Sequence, residues 1–175
     1  MVFKQEDNKT LLLVSLLVLL TRIPFLFAGY GSEEDAWGLI LVARNINLLG
    51  IYEVSRMPGH PVQEYLLSFL WEQPAWVLNF LTAFVSSLGI FYFMKTLVKL
   101  QIVNAVFYGI ALAFVPVFFI NSTNVMDYNW TLSLVLVAFY LTVSGNYLWA
   151  GIMIGLACGF RITAGAMVIP FAIWH

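Results

Sequence analysis

Long apolar runs separated by short polar turns constrain this chain more than any other feature. "LLLVSLLVLLTRIPFLFAG", residues 11–29, follows a polar start, and further apolar runs cover about 74–94, 102–120, 128–143 and 148–175. About 20 mostly apolar residues cross the roughly 30 Å hydrocarbon core of a bilayer as one helix, and in lipid the backbone must satisfy its own hydrogen bonds. The runs therefore predict an all-α fold, a polytopic transmembrane helix bundle. Composition points the same way: with 62% hydrophobic, 17% aromatic and 10% charged residues, the chain holds more apolar surface than a soluble domain buries.

Several classes of function are excluded. A net charge of −1 without a Lys/Arg stripe gives a nucleic-acid backbone nothing to bind, so no nucleic-acid partner is expected. The single cysteine, Cys158, rules out a disulfide framework and reads as a packed small hydrophobe. Lys4 and Lys9 before a Leu-rich run fit a secretory signal peptide, but further spans follow and no small-residue cleavage site does. The last run, "LWAGIMIGLACGFRITAGAMVIPFAIW", is too long for one straight span and contains Arg161, which predicts a broken helix.

Alternating spans place Lys4, Lys9, Lys95 and Lys99 on one side, and the positive-inside rule makes that side, with the N-terminus, cytoplasmic. The expected location is a prokaryotic cell membrane, or the endoplasmic reticulum in a eukaryote. The opposite side carries the loop 30–73, which contains Glu33, Glu34, Asp35, Glu53, Glu64 and Glu72 against Arg44, Arg56 and His60. The same alternation returns the turn 121–127 to the outer face, bringing Asp35 and Asp127 to one interface.

Within the outer loop, Ser32 and Asp35 form a capping-box pattern and Gly50 supplies a stop, which predicts a helix over about 33–49. Leu39, Val42, Ile46 and Leu49 make one apolar stripe, as in a helix lying along a membrane surface. "PVQEYLLSFLW", residues 61–71, predicts a second interfacial helix, with Tyr65, Leu66, Phe69 and Leu70 grouped together. Glu53 and Glu64 read as loop or surface charges. Acids in a first helical turn complement the helix dipole without any further role, but an acid at a water–lipid boundary opposite a second acid is costly and suggests function. Trp71, Trp76, Trp130, Trp149 and Trp174 read as an interfacial belt, and the glycosylation patterns at 121–123 and 129–131 lie too close to the membrane to serve.

The stretch "LLTRIPFLFAGYGSEEDAWGLILVARNINLLGIYEVSRMPGHPVQEYL", residues 19–66, together with "NVMDYNW", resembles the polytopic glycosyltransferases of the C fold. These enzymes use a lipid-phosphate sugar and include protein mannosyltransferases and lipid A aminoarabinose transferases; the resemblance covers nearly the whole chain. It implies that residues 1–175 are the N-terminal portion of such a membrane domain, with further spans to follow. The family's loop acids are an Asp-Glu pair whose first member falls on Asp35; the second position is Ala36, with Glu33 and Glu34 nearby. The family's second acid falls on Asp127.

The implied chemistry is sugar transfer from a polyprenyl-phosphate donor to a lipid, glycan or protein acceptor on the extracytoplasmic side. It requires a base for the acceptor and cations for the departing phosphate. The resemblance makes Asp35 the base and Asp127 the second catalytic acid, with Glu34, Arg56, His60 and Arg161 as substrate-binding residues; Arg suits phosphate because its fork matches the oxygens. No cofactor is required, although the acids leave room for a divalent metal without the ligand spacing that would specify one. A transporter or channel subunit with Asp127 and Arg161 in a polar pathway is the alternative, and a noncatalytic scaffold with capping acids is a third. The transferase reading requires Asp35, Asp127 and at least one of Arg56 or His60 to meet in one outer cavity.

Overall fold

The computed structural model describes residues 6–31 and 33–174. Among these every regular element is helical: α1 (Asn8–Leu20), α2 (Glu34–Leu49), α3 (Pro61–Ser68), α4 (Ala75–Lys99), α5 (Ala105–Ala113), α6 (Pro116–Asn121), α7 (Asp127–Val143), α8 (Tyr147–Phe160) and α9 (Val168–Trp174). Short 3-10 turns cover Ile23–Phe25 and Ile162–Met167. The all-α expectation holds. Two helical stretches, Asn8–Phe25 and Ala75–Lys99, are long and apolar enough to cross a membrane.

α4 is the central post. α1 runs antiparallel to it: Ser87 donates to the Ser15 carbonyl near mid-helix, and Asn79 Nδ2 donates to the Leu26 and Gly29 carbonyls at 2.8 and 2.7 Å nearer the end. α7 runs parallel to α4, since Trp130 Nε1 meets Thr82 Oγ1 at 3.0 Å while Lys95 lies over the Tyr140 ring further along. α8 returns antiparallel to α7, stacking Phe160 on Trp130. The helix seams carry small and polar residues: a Cβ added to Gly89 would lie 3.0 Å from the Ser133 Cα, and Asn129 donates to Ser86 Oγ and the Phe118 carbonyl at 3.2 and 2.9 Å. Small residues at such seams allow backbones to approach closely. Asn129, buried in this way, is not an acceptor for glycosylation.

This packing separates the charges. Lys9, Lys95 and Lys99 lie at the end where α1 begins and α4 stops, while Asp35, Glu64 and Asp127 lie at the opposite end. Lys4, also expected among the basic group, lies outside the described residues, as do Ser32 and His175.

Several expected boundaries shift. The second apolar helix does not stop at Lys95; it continues to Lys99, and the Lys95 ammonium lies over the Phe91, Tyr92 and Tyr140 rings, a favourable place for a cation. The run 102–120 is not one helix, because Pro116 has no N–H to continue the ladder and the chain breaks between α5 and α6. Arg22 repairs this break. Wholly buried, it donates to the Ala113 carbonyl, to Thr21 Oγ1 at 2.6 Å and to Ser122 Oγ at 3.1 Å, and it lies over the Phe119 and Phe114 rings. The last run breaks as expected, with Arg161 extended at φ −149° between α8 and the 3-10 turn.

On α2 most of the predicted stripe is not exposed. Leu39 and Val42 face inward; Leu39 packs with Ile40 and Ala43 on Leu67, Leu78 and Val125. Trp37, Leu41, Leu48 and Leu49 are the large hydrophobic residues left exposed on α2. On α3 the pattern is inverted: Gln63, Glu64, Leu67 and Ser68 are buried, while Tyr65 and Phe69 are exposed. The predicted α2 stripe assumed that water or lipid was the only neighbour, whereas α2 packs on α3 and its Leu39 cluster takes in Leu78 of α4 and Val125. The expected capping box is also replaced. Glu33 takes the N-cap position without a side-chain hydrogen bond, and Asp35 turns toward Arg56. Gly50 closes α2 in the left-handed conformation, φ 66°, which glycine adopts at little cost.

Candidate functional site

At the acidic end, five charged or titratable side chains from four segments meet. Asp127 opens α7 and is completely buried; its Oδ1 accepts from Arg56 Nη2 at 2.6 Å. Its Oδ2 lies 3.2 Å from Arg161 Nη1 and 3.6 Å from His60 Nδ1. Neither donor is aligned on that oxygen, which has no hydrogen bond and keeps only the Arg161 charge close by. Arg56 is the hub. Nη1 pairs with Asp35 on α2 and lies 3.4 Å from the Tyr128 hydroxyl, and Nε donates to His60 Nε2 at 2.8 Å. Because Nε2 accepts, the His60 ring proton sits on Nδ1 and points to the Phe160 carbonyl, the open end of α8. Arg161 and Arg56 both lie over the Tyr128 ring, 4.4 and 5.5 Å from its centroid, an attractive placement for guanidinium.

Burial grades the cluster from floor to mouth. The Asp127 side chain is 0% exposed, Arg56 21%, Arg161 32% and Asp35 39%. Taking carboxylates and guanidinium groups out of water is costly unless they pair; here Asp35 and Asp127 balance Arg56 and Arg161. Burial opposes the charge on Arg56, but the Tyr128 hydrogen bond and the Asp127 and Asp35 charges outweigh it and hold its pKa above the ordinary value.

The loop carrying Arg56 and His60 is shaped by Glu64. Expected to be a surface charge, Glu64 is instead fully buried. Its Oε1 accepts from Ser55 N and Oγ at 2.8 and 2.6 Å, and its Oε2 accepts from Tyr52 Oη and His60 N at 2.7 and 3.2 Å. Four donors and no cation make it a template for residues 52–60. The same loop needs Gly59: at φ 102° an added Cβ would lie 3.0 Å from Val54 Cγ1 and 3.2 Å from Tyr52 Oη, so a larger residue meets both backbone strain and crowding. Burial and the hydrogen bond and charge of Glu64 push the Tyr52 pKa up to about 12.

Of the residues singled out from sequence, Asp35, Arg56, His60, Asp127 and Arg161 come together. Glu34 does not; it is exposed in the first turn of α2. Ala36 is buried and supplies no second carboxylate. Sequence reasoning missed Glu64, Tyr52, Ser55 and Tyr128. Glu64 had a readable signal: Pro61 marks a helix start, and an acid in that first turn can reach back to free N–H groups. The described residues contain no group of three His, Cys, Asp or Glu side chains arranged to hold a metal ion, and the cations already occupying the cluster make it a better seat for an anion. An apolar cleft of about 280 Å³ between α7, α8 and α9, lined by Thr142, Tyr147, Ile154 and Phe171, lies at the other end of the bundle.

No protein-family model, curated protein or solved structure matches this chain.

Proposed function

We propose that this chain is an integral-membrane glycosyltransferase that takes a sugar from a polyprenyl-phosphate donor and transfers it to a lipid, glycan or protein acceptor on the extracytoplasmic side. The observation that carries this reading is the meeting of Asp35, Asp127, Arg56, His60 and Arg161 at the acidic end of an apolar bundle. A polytopic arrangement with a cytoplasmic N-terminus is supported by the lysines at the other end and by the exposed leucines of α1, Leu12, Leu13, Leu16, Leu17 and Leu20, a surface that needs apolar cover.

In this reading Asp35, nearest the mouth, takes the acceptor proton. The acceptor heteroatom forms its bond to the anomeric carbon as the bond from that carbon to the phosphate oxygen breaks, and the electron pair leaves with the polyprenyl phosphate. Arg56 and Arg161 meet the charge growing on that phosphate, and Asp127 anchors both. A single base with no covalent enzyme intermediate corresponds to inversion. The charged groups gather at one end instead of running through the bundle, which favours this reading over a transport pathway.

The test is Asp35→Asn in the full-length protein. Transfer of labelled hexose from a polyprenyl-phosphate hexose in proteoliposomes should fall at least about 100-fold, the scale of a lost general base. Turnover near the parent level removes Asp35 from the chemistry.

A further inference from the structure

We infer that Asp35 is held silent by Arg56 and is freed only when an anionic donor takes the Nη1 edge of that arginine, so that donor binding switches on the base. This rests on the transferase reading above. Arg56 has three engaged faces: Nη2 on buried Asp127, Nε on buried His60, and Nη1 on Asp35. The first two partners are inside the protein and fixed, Asp127 at the start of α7 and His60 between Arg56 and the Phe160 carbonyl. Asp35 alone among these partners is substantially exposed. An incoming phosphate therefore displaces one partner and leaves the guanidinium anchored by the other two.

The exchange is chemically balanced. Arg56 trades a carboxylate for a phosphate oxygen, so its charge stays paired, while Asp35 Oδ2 is released from the guanidinium and is free to accept a proton from the acceptor. Arg161, part-exposed over the same Tyr128 ring, is placed to share the phosphate charge as Asp35 withdraws. The buried Asp127 Oδ2, 3.2 Å from Arg161 Nη1 and without a hydrogen bond, keeps Arg161 in place during the exchange. A base tied to its arginine until the donor arrives cannot deprotonate an acceptor or water prematurely.

The test separates this latch from the transferase reading. Farnesyl phosphate serves as a soluble anionic probe, and its binding to the full-length protein in detergent is measured by thermophoresis for the parent, Asp35→Asn and Asp35→Ala. Losing a part-exposed competitor for Arg56 should tighten binding about two- to fivefold, the range of a single exposed ion pair. Because Asp35 is part-exposed, both variants should fold, which near-ultraviolet circular dichroism checks. Tighter binding in both variants supports the latch, whereas unchanged or weaker binding in either overturns it. Sugar transfer assayed on the same parent preparation reports on the other reading: tighter variant binding without parental transfer leaves an anion-gated carboxylate and removes the transferase.

Discussion

Two arginines in this molecule each hold several groups together and yet differ in what surrounds them. Arg22 is sealed in the bundle and meets only neutral partners, a carbonyl, two hydroxyls and two rings. Arg56 is held by two carboxylates and an imidazole and retains a solvent-facing edge. The partners of Arg22 are acceptors left over from a helix break, so its hydrogen bonds complete the backbone. The partners of Arg56 include two carboxylates, and in the proposed latch an anion replaces one of them. Enclosure without exchange gives structure, and enclosure with one exchangeable partner gives a binding site.

The strongest attempt to break this contrast is Asp127→Ala. It leaves Arg56 and Arg161 without their buried anchor and should lower stability by about 3 kcal/mol and abolish transfer; a thermal midpoint close to the parent's would show that the cluster is not held from Asp127. Arg22→Ala should cost about 2 to 3 kcal/mol through unpaired acceptors and lost ring packing. Under conditions where the variant remains folded, it should bind a phosphate probe as the parent does. A changed affinity would erase the distinction between the two arginines.

Glu64→Gln sharpens the Arg56 side. An amide nitrogen cannot accept from Ser55 or Tyr52, so the loop should loosen at a cost of about 1 to 2 kcal/mol and KM for the donor should rise more than kcat falls. Equal changes in both would place Glu64 in the chemical step. The smallest effect belongs to Tyr52. Its folded pKa of about 12 lies above its unfolded value of 10.0, so its contribution to stability is complete below pH 10 and fades as pH rises toward 12. Tyr52→Phe should remove that alkaline component from a pH series of unfolding midpoints, and an identical alkaline slope would show that the hydroxyl is not coupled to folding.

Much of this organisation is visible in the chain itself. Gly50 marks the end of α2, the acids and lysines separate by counting spans, and the apolar run around Arg161 is too long to be one helix. The losses share one cause, since each depends on a neighbour distant in sequence. Glu64 looks like a surface charge until the loop 52–60 folds over it. The Leu39 and Val42 stripe looks lipid-facing until other helices cover it. Arg22 sits in a short motif that gives no hint of the broken helix at Ala113, 91 positions away. Pro116, by contrast, was a local signal, and it outweighed the apolarity that suggested a single span.

The bond between His60 and the Phe160 carbonyl joins residues separated by 100 positions. During synthesis Asp35 and Arg56 therefore emerge long before α8 can supply that carbonyl or Arg161 can follow it. A ribosome-bound chain ending short of α8 already contains Asp35 and Arg56 but not the Phe160 carbonyl that holds His60 beside them. Assembly of the site thus reports that α7 and α8 have docked, and in a bundle where they have not, the five side chains do not meet.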